Sequence, residues 1–581
     1  MTEPVLHDSR RLPGVNLLFD GPGAVLDVAF PDAEGDRVVA LWQTHLARIL
    51  GALHWPKAVV RVRRFPGGAS LFFSAPLDAL YAATEVNEWA WHAAVAAATG
   101  ADVPKAADGV ATLTPVLERE REPKLIALRA AALERGLSFH VDHKAVSVGS
   151  GKGCRLWPVP DPRRPEAPPL STVRWTGIHD VPQVLVTGSN GKTTTVRLLA
   201  SIVRAWGKVP GSSSTDRIVV GETIVESGDW SGPMGARAVL RDPRVEVAIL
   251  ETARGGILRR GLAVARADAA IVTNVAEDHF GEWGIADLRG IAETKLVVAH
   301  VVPRLVINAE DPVLVEVLER KRARGQIRAD VGWFALDPAN PLVAAARSRN
   351  GTACVLEDGQ LVFYRGDRRT PVVRAQDVPI TLGGVARFNI ANALGAVLVA
   401  SAIGVPLGAI AAGLKAFRGT PQENPGRTHR FDLGARVVVD FAHNPHGQRA
   451  LIQAAQAMPA KRKAVILGQA GDRDDESIRG LARETWPWQP DLVVLKEMPE
   501  QLRGRQKGEA TGLLRDEFLK LGAPHGLFAQ ANTELEAVRA ALAWAREGDL
   551  VLLPVHAQRE EVLALMEKLE LTGWLAGSPL P

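Results

Sequence analysis

Residues Val186 to Val203 read VTGSNGKTTTVRLLASIV. A short apolar strand runs into a turn of Gly188, Ser189, Asn190 and Gly191. Lys192, Thr193 and Thr194 follow, at the start of a predicted helix. Backbone N–H groups in such a turn, with the helix N-terminus, hold phosphate oxygens. In such a loop Lys192 would reach the outer phosphates and Thr193 would offer its hydroxyl to Mg²⁺. The pattern is shorter than the usual G-x-x-x-x-G-K-T, because position 186 is Val. A chance glycine-rich turn is the competing reading, and the strand, Lys-Thr and helix context weighs against it. Glu251 ends the apolar run VAIL. It is either a strand-end surface residue or a ligand for Mg²⁺, which prefers hard oxygens. His279, in TNVAEDHFG, stands after a third apolar run. Ligands of open parallel sheets bind outside the carboxyl ends of the strands. That rule places Thr193, Glu251 and His279 at one edge.

The elements that must position these residues are legible as alternation. QVLVT, VAILET and AAIVTNV are β-branched runs, each followed by a polar turn. They predict a mostly parallel, doubly wound sheet. A second alternation begins near Arg436, with RVVVDFAH, KAVILGQ, DLVVLKE and DLVLLPV as strands. The join falls near residue 420, in RGTPQENPGRTH. Upstream, six prolines between Pro158 and Pro169 mark a stiff linker. Before it lie helical patterns, VVALWQTHLARILGAL and LYAATEVNEWAWHAAVAAATG, among short strand-like runs. The expected units are an α+β N-terminal domain over 1–165, a P-loop α/β domain with a parallel sheet over 172–418, and a Rossmann-like α/β domain over 419–581.

A chain of 581 residues exceeds what one core usually serves. A net charge of +4 gives no warrant for nucleic acid. Cys154 and Cys354 support neither a disulfide framework nor a thiolate metal site and fit a reducing cytosol. The N-terminus has no apolar run of the secretory kind. The uncharged stretch from Phe388 to Leu414 is broken by Pro406 and holds Asn389 and Asn392. It reads as two buried helices rather than a membrane span. The expected location is cytoplasmic, and homo-oligomerisation is left open.

TGSNGKTT, the strand-terminal Glu251, TNVAEDHFG, a lysine sixteen residues after the histidine (Lys295), INAEDP, PGR and VDFAHNP together resemble the Mur ligase superfamily. Within it the chain is most similar to the Mur-like C-terminal part of the cyanophycin synthetases, through STDRIVVGETIVESGDWSGP, LETARGGILRRGL, GDRDDESIR and LRGRQKGE. The resemblance implies an enzyme that activates a carboxylate with ATP as an acyl phosphate and lets an amine attack it. Its partners would be a small-molecule or peptide carboxylate and an amine. It implies a nucleotide site of Gly188, Asn190, Gly191, Lys192, Thr193 and Thr194, with Asn308 and Asp311 on the adenine side. Arg427, Asp440, His443 and Asn444 come from the C-terminal domain. Thr193, Glu251 and His279 match the metal ligands of a site using Mg²⁺, two ions in several members. Lys295 matches a lysine carried as a carbamate in some members and is otherwise a helix-surface lysine. Lys192, Lys295, His279 and Arg427 are the implied catalytic set.

The chain also departs from that family. LIALRAAALERGLSFHVDHKAVSVGSGKGCRLW resembles the start of an ATP-grasp region, and the Mur-like part follows at once. One of two ligations is therefore expected to be missing. Arg217 stands in STDR where a small residue is expected. Glu85, Glu88 and His92 share a helix face; a polar surface beside Trp89 and Trp91 is preferred there over a zinc site. Arg254 follows the Glu251 strand end and is the candidate for an acidic substrate, whereas Arg259 and Arg260 read as surface charges. The competing function is a non-catalytic nucleotide-binding scaffold of the same fold.

Overall fold

The computed structural model describes residues 4–55, 57–159, 166–277 and 280–581. The strands carrying the candidate chemistry are neighbours. Gln183–Thr187 lies between Val247–Glu251 and Ala269–Val272 and runs parallel to both. All three are buried at every position. That is why their sequences are continuous apolar runs without alternation. The register sets Glu251 opposite Val186, and Val272 opposite Thr187. The following turns therefore open at one level.

The parallel run extends through Pro210–Ser213 on one side and through Arg304–Asn308, Asp330–Ala335 and Thr352–Glu357 on the other. Antiparallel hairpins close both edges, Arg217–Val220 with Thr223–Ser227 and Gln360–Arg365 with Arg368–Arg374. Helices cover both faces, as crossover connections require. Lys192–Ala205, Arg387–Ala402 and Leu407–Ala416 bury Leu198, Ile202, Leu394 and Leu414 on one face. Pro233–Arg241, Arg254–Arg260, Leu288–Lys295 and Pro312–Ala323 pack Leu240, Ile257, Ile291 and Leu314 on the other.

The stretch from Phe388 to Leu414 forms two helices. Gly404, at φ +86, ends the first, and Pro406 caps the second. No helix among the described residues is long and apolar enough to cross a membrane. The second helix lies directly on the helix Lys192–Ala205, where Ser201 donates to the Gly413 carbonyl at 2.8 Å. A Cβ at Gly413 would sit 2.4 Å from the Ile202 Cα, so only glycine permits this approach.

The second α/β sheet has the order His429–Leu433, Ala435–Asp440, Leu550–Pro554, Lys463–Leu467, Leu492–Lys496, Phe528–Ala531. Only its first pair is antiparallel. The expected strands RVVVD, KAVIL, LVVLK and LVLLP are those strands. At the N-terminal end a four-stranded antiparallel sheet, Val5–Leu12, Gly23–Ala29, Gly68–Ser74 and Val60–Phe65, packs on helices Gly35–Ala52 and Leu80–Thr99. Asn87 is fully buried there and accepts from the Trp42 indole at 2.9 Å. Glu85 and His92 lie on the solvent side of the same helix. Among the described residues no His, Cys, Asp and Glu side chains cluster as a metal site. After helix Pro123–Glu134 a small sheet of Phe139–Val141, Ala145–Val148 and Arg155–Pro158 packs with Val173 from beyond the proline-rich stretch. Residues 160–165 of that stretch lie outside the described residues.

Candidate active site

Gly191 caps the helix Lys192–Ala205 with φ +82, and Gly188 has φ +147. Space and conformation both demand glycine. A Cβ at Gly188 would lie 1.9 Å from the Thr273 hydroxyl, and one at Gly191 2.2 Å from Asn392 Oδ1. The turn is pinned by the strand end beside it. The Asn190 N–H donates to Asn274 Oδ1 at 2.9 Å, and its carbonyl accepts from the Thr273 hydroxyl at 2.6 Å. Thr273 and Asn274 carry no titratable chemistry, and reading strand ends for acids and bases passed over them.

At the helix start Lys192 donates to the Ser189 carbonyl at 3.0 Å, folded back over the turn. The Thr193 hydroxyl donates to Glu251 Oε2 at 2.8 Å, and the Thr215 hydroxyl to Oε1 at 2.7 Å. Glu251 is 1% exposed and has no ion-pair partner among the described residues. The buried carboxylate is met directly by the Thr193 and Thr215 hydroxyls and the Thr215 N–H, and Arg197 acts on it only through space. Its oxygens and the two hydroxyls form a hard-oxygen set, which fits Mg²⁺. Thr215 was not foreseen from the sequence: it follows strand Pro210–Ser213, whose small residues carry no strand pattern, and that strand's pairing with Val247–Glu251 brings Thr215 to Glu251. His279 lies outside the described residues. Lys295 is 3% exposed on the last turn of helix Leu288–Lys295, so it is not a surface lysine. Arg254 opens helix Arg254–Arg260, is largely buried, and pairs with Glu282.

The second α/β unit touches the cradle formed by the turn Gly188–Gly191 and the start of helix Lys192–Ala205. Asn444 caps helix Pro445–Gln456 by accepting from the Gly447 N–H at 2.8 Å, and donates to Asn190 Oδ1 at 3.1 Å. Asn190 Nδ2 meets His446 Nδ1 at 3.0 Å. A relay of amides runs in parallel. Asn392, beside Gly191, donates to Asn389 at 3.1 Å; Asn389 donates to the Thr428 hydroxyl at 3.3 Å, and Thr428 donates to Asp440 Oδ2 at 2.9 Å. Burial pushes the Asp440 carboxyl up, against that hydrogen bond and the nearby Arg427. The His443 ring nitrogen Nδ1 lies 3.0 Å from the Phe441 carbonyl.

Asn308 ends its strand and donates to the Thr273 carbonyl at 3.2 Å. Asp311 caps helix Pro312–Ala323: its oxygens accept from the Leu314 and Val275 N–H groups at 3.0 and 2.5 Å. Both residues thus brace the loop beneath the cradle.

Arg427 belongs to an unforeseen constellation of four side chains. Asp216, with its side chain 6% exposed, meets Arg197 at 2.6 Å, Arg427 at 2.9 Å and Arg559 at 2.8 Å. Arg197 comes from the cradle helix, and the other two come from the second α/β unit. Asp216 resists burial because of these guanidiniums, Arg427 first, and its pKa falls to about 2. Arg217, the departure noted in STDR, donates to the Glu423 carbonyl at 3.3 Å, and Arg197 to the same oxygen at 2.7 Å. The odd arginine holds the connection between the two α/β units.

Comparison with known proteins gives this geometry a lineage. Residues 186–400 match the Mur ligase middle domain, and 426–554 match the Mur ligase glutamate ligase domain. A cyanophycin synthetase of Synechocystis sp. is 38% identical over 418 residues, covering 70% of this chain and 46% of that protein. The UDP-N-acetylmuramoyl-L-alanyl-D-glutamate–2,6-diaminopimelate ligase of Gloeobacter violaceus is 27% identical over 386 residues, 63% of this chain and 70% of that one. The Mycobacterium tuberculosis folylpolyglutamate synthase structure with ADP superimposes at TM-score 0.49 with 20% identity, covering 66% and 90% of the two chains. The chain spans about half the length of the cyanophycin synthetases it matches. With a middle domain and a glutamate ligase domain in their characteristic order, this chain belongs to the Mur ligase family and is homologous to the cyanophycin synthetases.

Proposed function

We propose that the chain is an ATP-dependent, ADP-forming carboxylate–amine ligase, similar in chemistry to cyanophycin synthetase. A substrate carboxylate oxygen takes the γ-phosphoryl group and ADP leaves. The amine of an amino acid or similar compound then attacks the acyl carbon, and phosphate departs. The observation that carries this reading is the contact of Thr193 with buried Glu251, one residue from Lys192, under a turn that Asn444 reaches from the other unit.

In this reading Lys192 and Arg427 hold the outer phosphates, and Asp440 and His443 approach the nucleotide. Asn308 and Asp311 flank the adenine side, and Arg254 orients the acidic substrate. Thr193 and Glu251, with His279, would hold Mg²⁺, and Lys295 stands near a second ion. Bound Mg²⁺ neutralises charge on the transferring phosphoryl group. The units over 1–165, 172–418 and 419–581 serve as domains, and contact between the last two across Asn190 excludes the water that destroys an acyl phosphate. The single cradle supports one type of ligation, with no alternating polymer.

The test is phosphate release from ATP with pools of amino acids, dipeptides and a short aspartate–arginine primer. Substrate-dependent ADP formation, lost in Lys192→Ala, is expected. Stoichiometric AMP, or a Lys192→Ala variant with near-normal turnover, refutes the reading. Growth of the primer by many units refutes the single ligation.

A further inference from the structure

Away from the cradle, a cavity of about 90 Å³ opens where the N-terminal unit, the small sheet and the central domain meet. Three guanidiniums border it, from three different elements: Arg129 of helix Pro123–Glu134, Arg237 of helix Pro233–Arg241 and Arg260 of helix Arg254–Arg260. Arg129 has no ion-pair or hydrogen-bond partner among the described residues, and burial alone pushes its pKa down. Arg237 reaches Asp142 only at 3.5 Å, because Arg241 holds that carboxylate at 2.6 Å. Arg237 Nε is buried without a hydrogen bond. The acidic side chain on the wall, Asp20, is turned to His300 at 2.7 Å.

A fourth polar group completes the wall. His140, on strand Phe139–Val141, is 3% exposed, borders the cavity, and has no partner for Nε2. Burial, with Arg241 and Arg237 nearby, holds the ring neutral, its pKa down at about 3. A neutral imidazole nitrogen exchanges one hydrogen bond with a neutral donor or acceptor.

A partly buried guanidinium without a partner, as Arg129 is, is costly, and Arg237 shares its carboxylate with Arg241. Planar forks match carboxylate and phosphate bidentately. We propose that this cavity is a ligand site, separate from the phosphate cradle, for a small oxyanion-bearing compound held by Arg129, Arg237 and Arg260 and oriented by His140. The volume exceeds what one water needs and suits a compound of a few heavy atoms. Its chemistry is that of a carboxylate or a phosphate, and the proposal is independent of the ligase reading.

The experiment is calorimetric titration of the full chain with L-aspartate and, separately, with inorganic phosphate, against chloride at equal ionic strength. The two anions distinguish an amino-acid carboxylate from free phosphate as the source. Saturable binding of at least one is expected. Arg129→Gln and Arg260→Gln should each weaken it about tenfold or more, the scale of a lost charge-assisted pair. The binding that depends on Arg129 and Arg260 should persist in Lys192→Ala, which separates this site from the turn Gly188–Gly191. Arg260 is exposed at its helix end, so its variant decides the matter if Arg129→Gln does not fold. Absence of binding beyond chloride, wild-type affinity in the arginine variants, or loss in Lys192→Ala of the binding that depends on Arg129 and Arg260 each overturns the proposal.

Discussion

Replacing Asp216 by Asn removes the one negative charge shared by Arg197, Arg427 and Arg559. The side chains of Asp216, Arg197, Arg427 and Arg559 are 6%, 9%, 12% and 21% exposed, so solvent screens the cluster weakly. The carboxyl pKa falls from 3.8 to about 2 in the fold, which corresponds to roughly 2 kcal/mol. Removing one member of a buried ion pair costs about 3–5 kcal/mol, because the partners stay desolvated. Two of the three arginines belong to the second α/β unit, so most of the loss falls on the contact between units. Taking the roughly 2 kcal/mol of the pKa shift, the opening equilibrium of that contact shifts by roughly 30-fold. Amide hydrogen exchange at residues 420–428 and 555–560 reads that equilibrium directly. Asp216→Asn should exchange there faster by that factor, with the core strand Gln183–Thr187 unchanged. The sign with pH is determined too. A depressed carboxyl pKa stabilises fully above about pH 4, and the contribution fades as pH falls toward 2. Variant and wild type should therefore converge below pH 4. Exchange within threefold of wild type at pH 7 would refute the role of Asp216 in holding the two units together.

Three further outcomes follow from the structure. His140, His429 and His556 are pushed by burial to about 3, 4 and 3, so the fold holds them neutral. Their stabilisation is complete above about pH 6.5 and lost at roughly 1.4 kcal/mol per pH unit each on acidification; a Tm unchanged from pH 7.5 to 5 would contradict this. Gly413→Ala forces a Cβ to 2.4 Å from the Ile202 Cα and should cost about 1–3 kcal/mol, seen as a lower urea midpoint; an unchanged midpoint would show that the two helices part freely. Glu251→Gln keeps a partner for the Thr193 and Thr215 hydroxyls but removes the charge. Mn²⁺ binding followed by electron paramagnetic resonance should weaken at least tenfold with the fold intact, and unaltered binding would place the cation elsewhere.

Local chemistry was legible in the chain before folding. Gly188 and Gly191 announce a turn that only glycine tolerates, and apolar runs before Glu251 and Thr273 announce buried parallel strands. Those signals depend on neighbours within a few residues, where backbone sterics and burial periodicity act. They sufficed for the α/β class, for three neighbouring strands of the larger sheet and for four parallel strands of the smaller one, but not for the antiparallel edges of either. Sequence also suggested that Arg427 and Asn444 belong near the nucleotide, through motifs alone.

Tertiary structure decided which partners these residues meet. Asp216 is an ordinary loop acid in sequence; it becomes a junction because Arg427 and Arg559, 211 and 343 positions away, converge on it. Thr215 joins Thr193 at Glu251 only because Pro210–Ser213 pairs beside Val247–Glu251. Arg129, Arg237 and Arg260 read as scattered helix charges until three elements bring them to one cavity. Coulomb energy depends on distance in space and on how far water is excluded, and neither quantity is encoded by spacing along the chain.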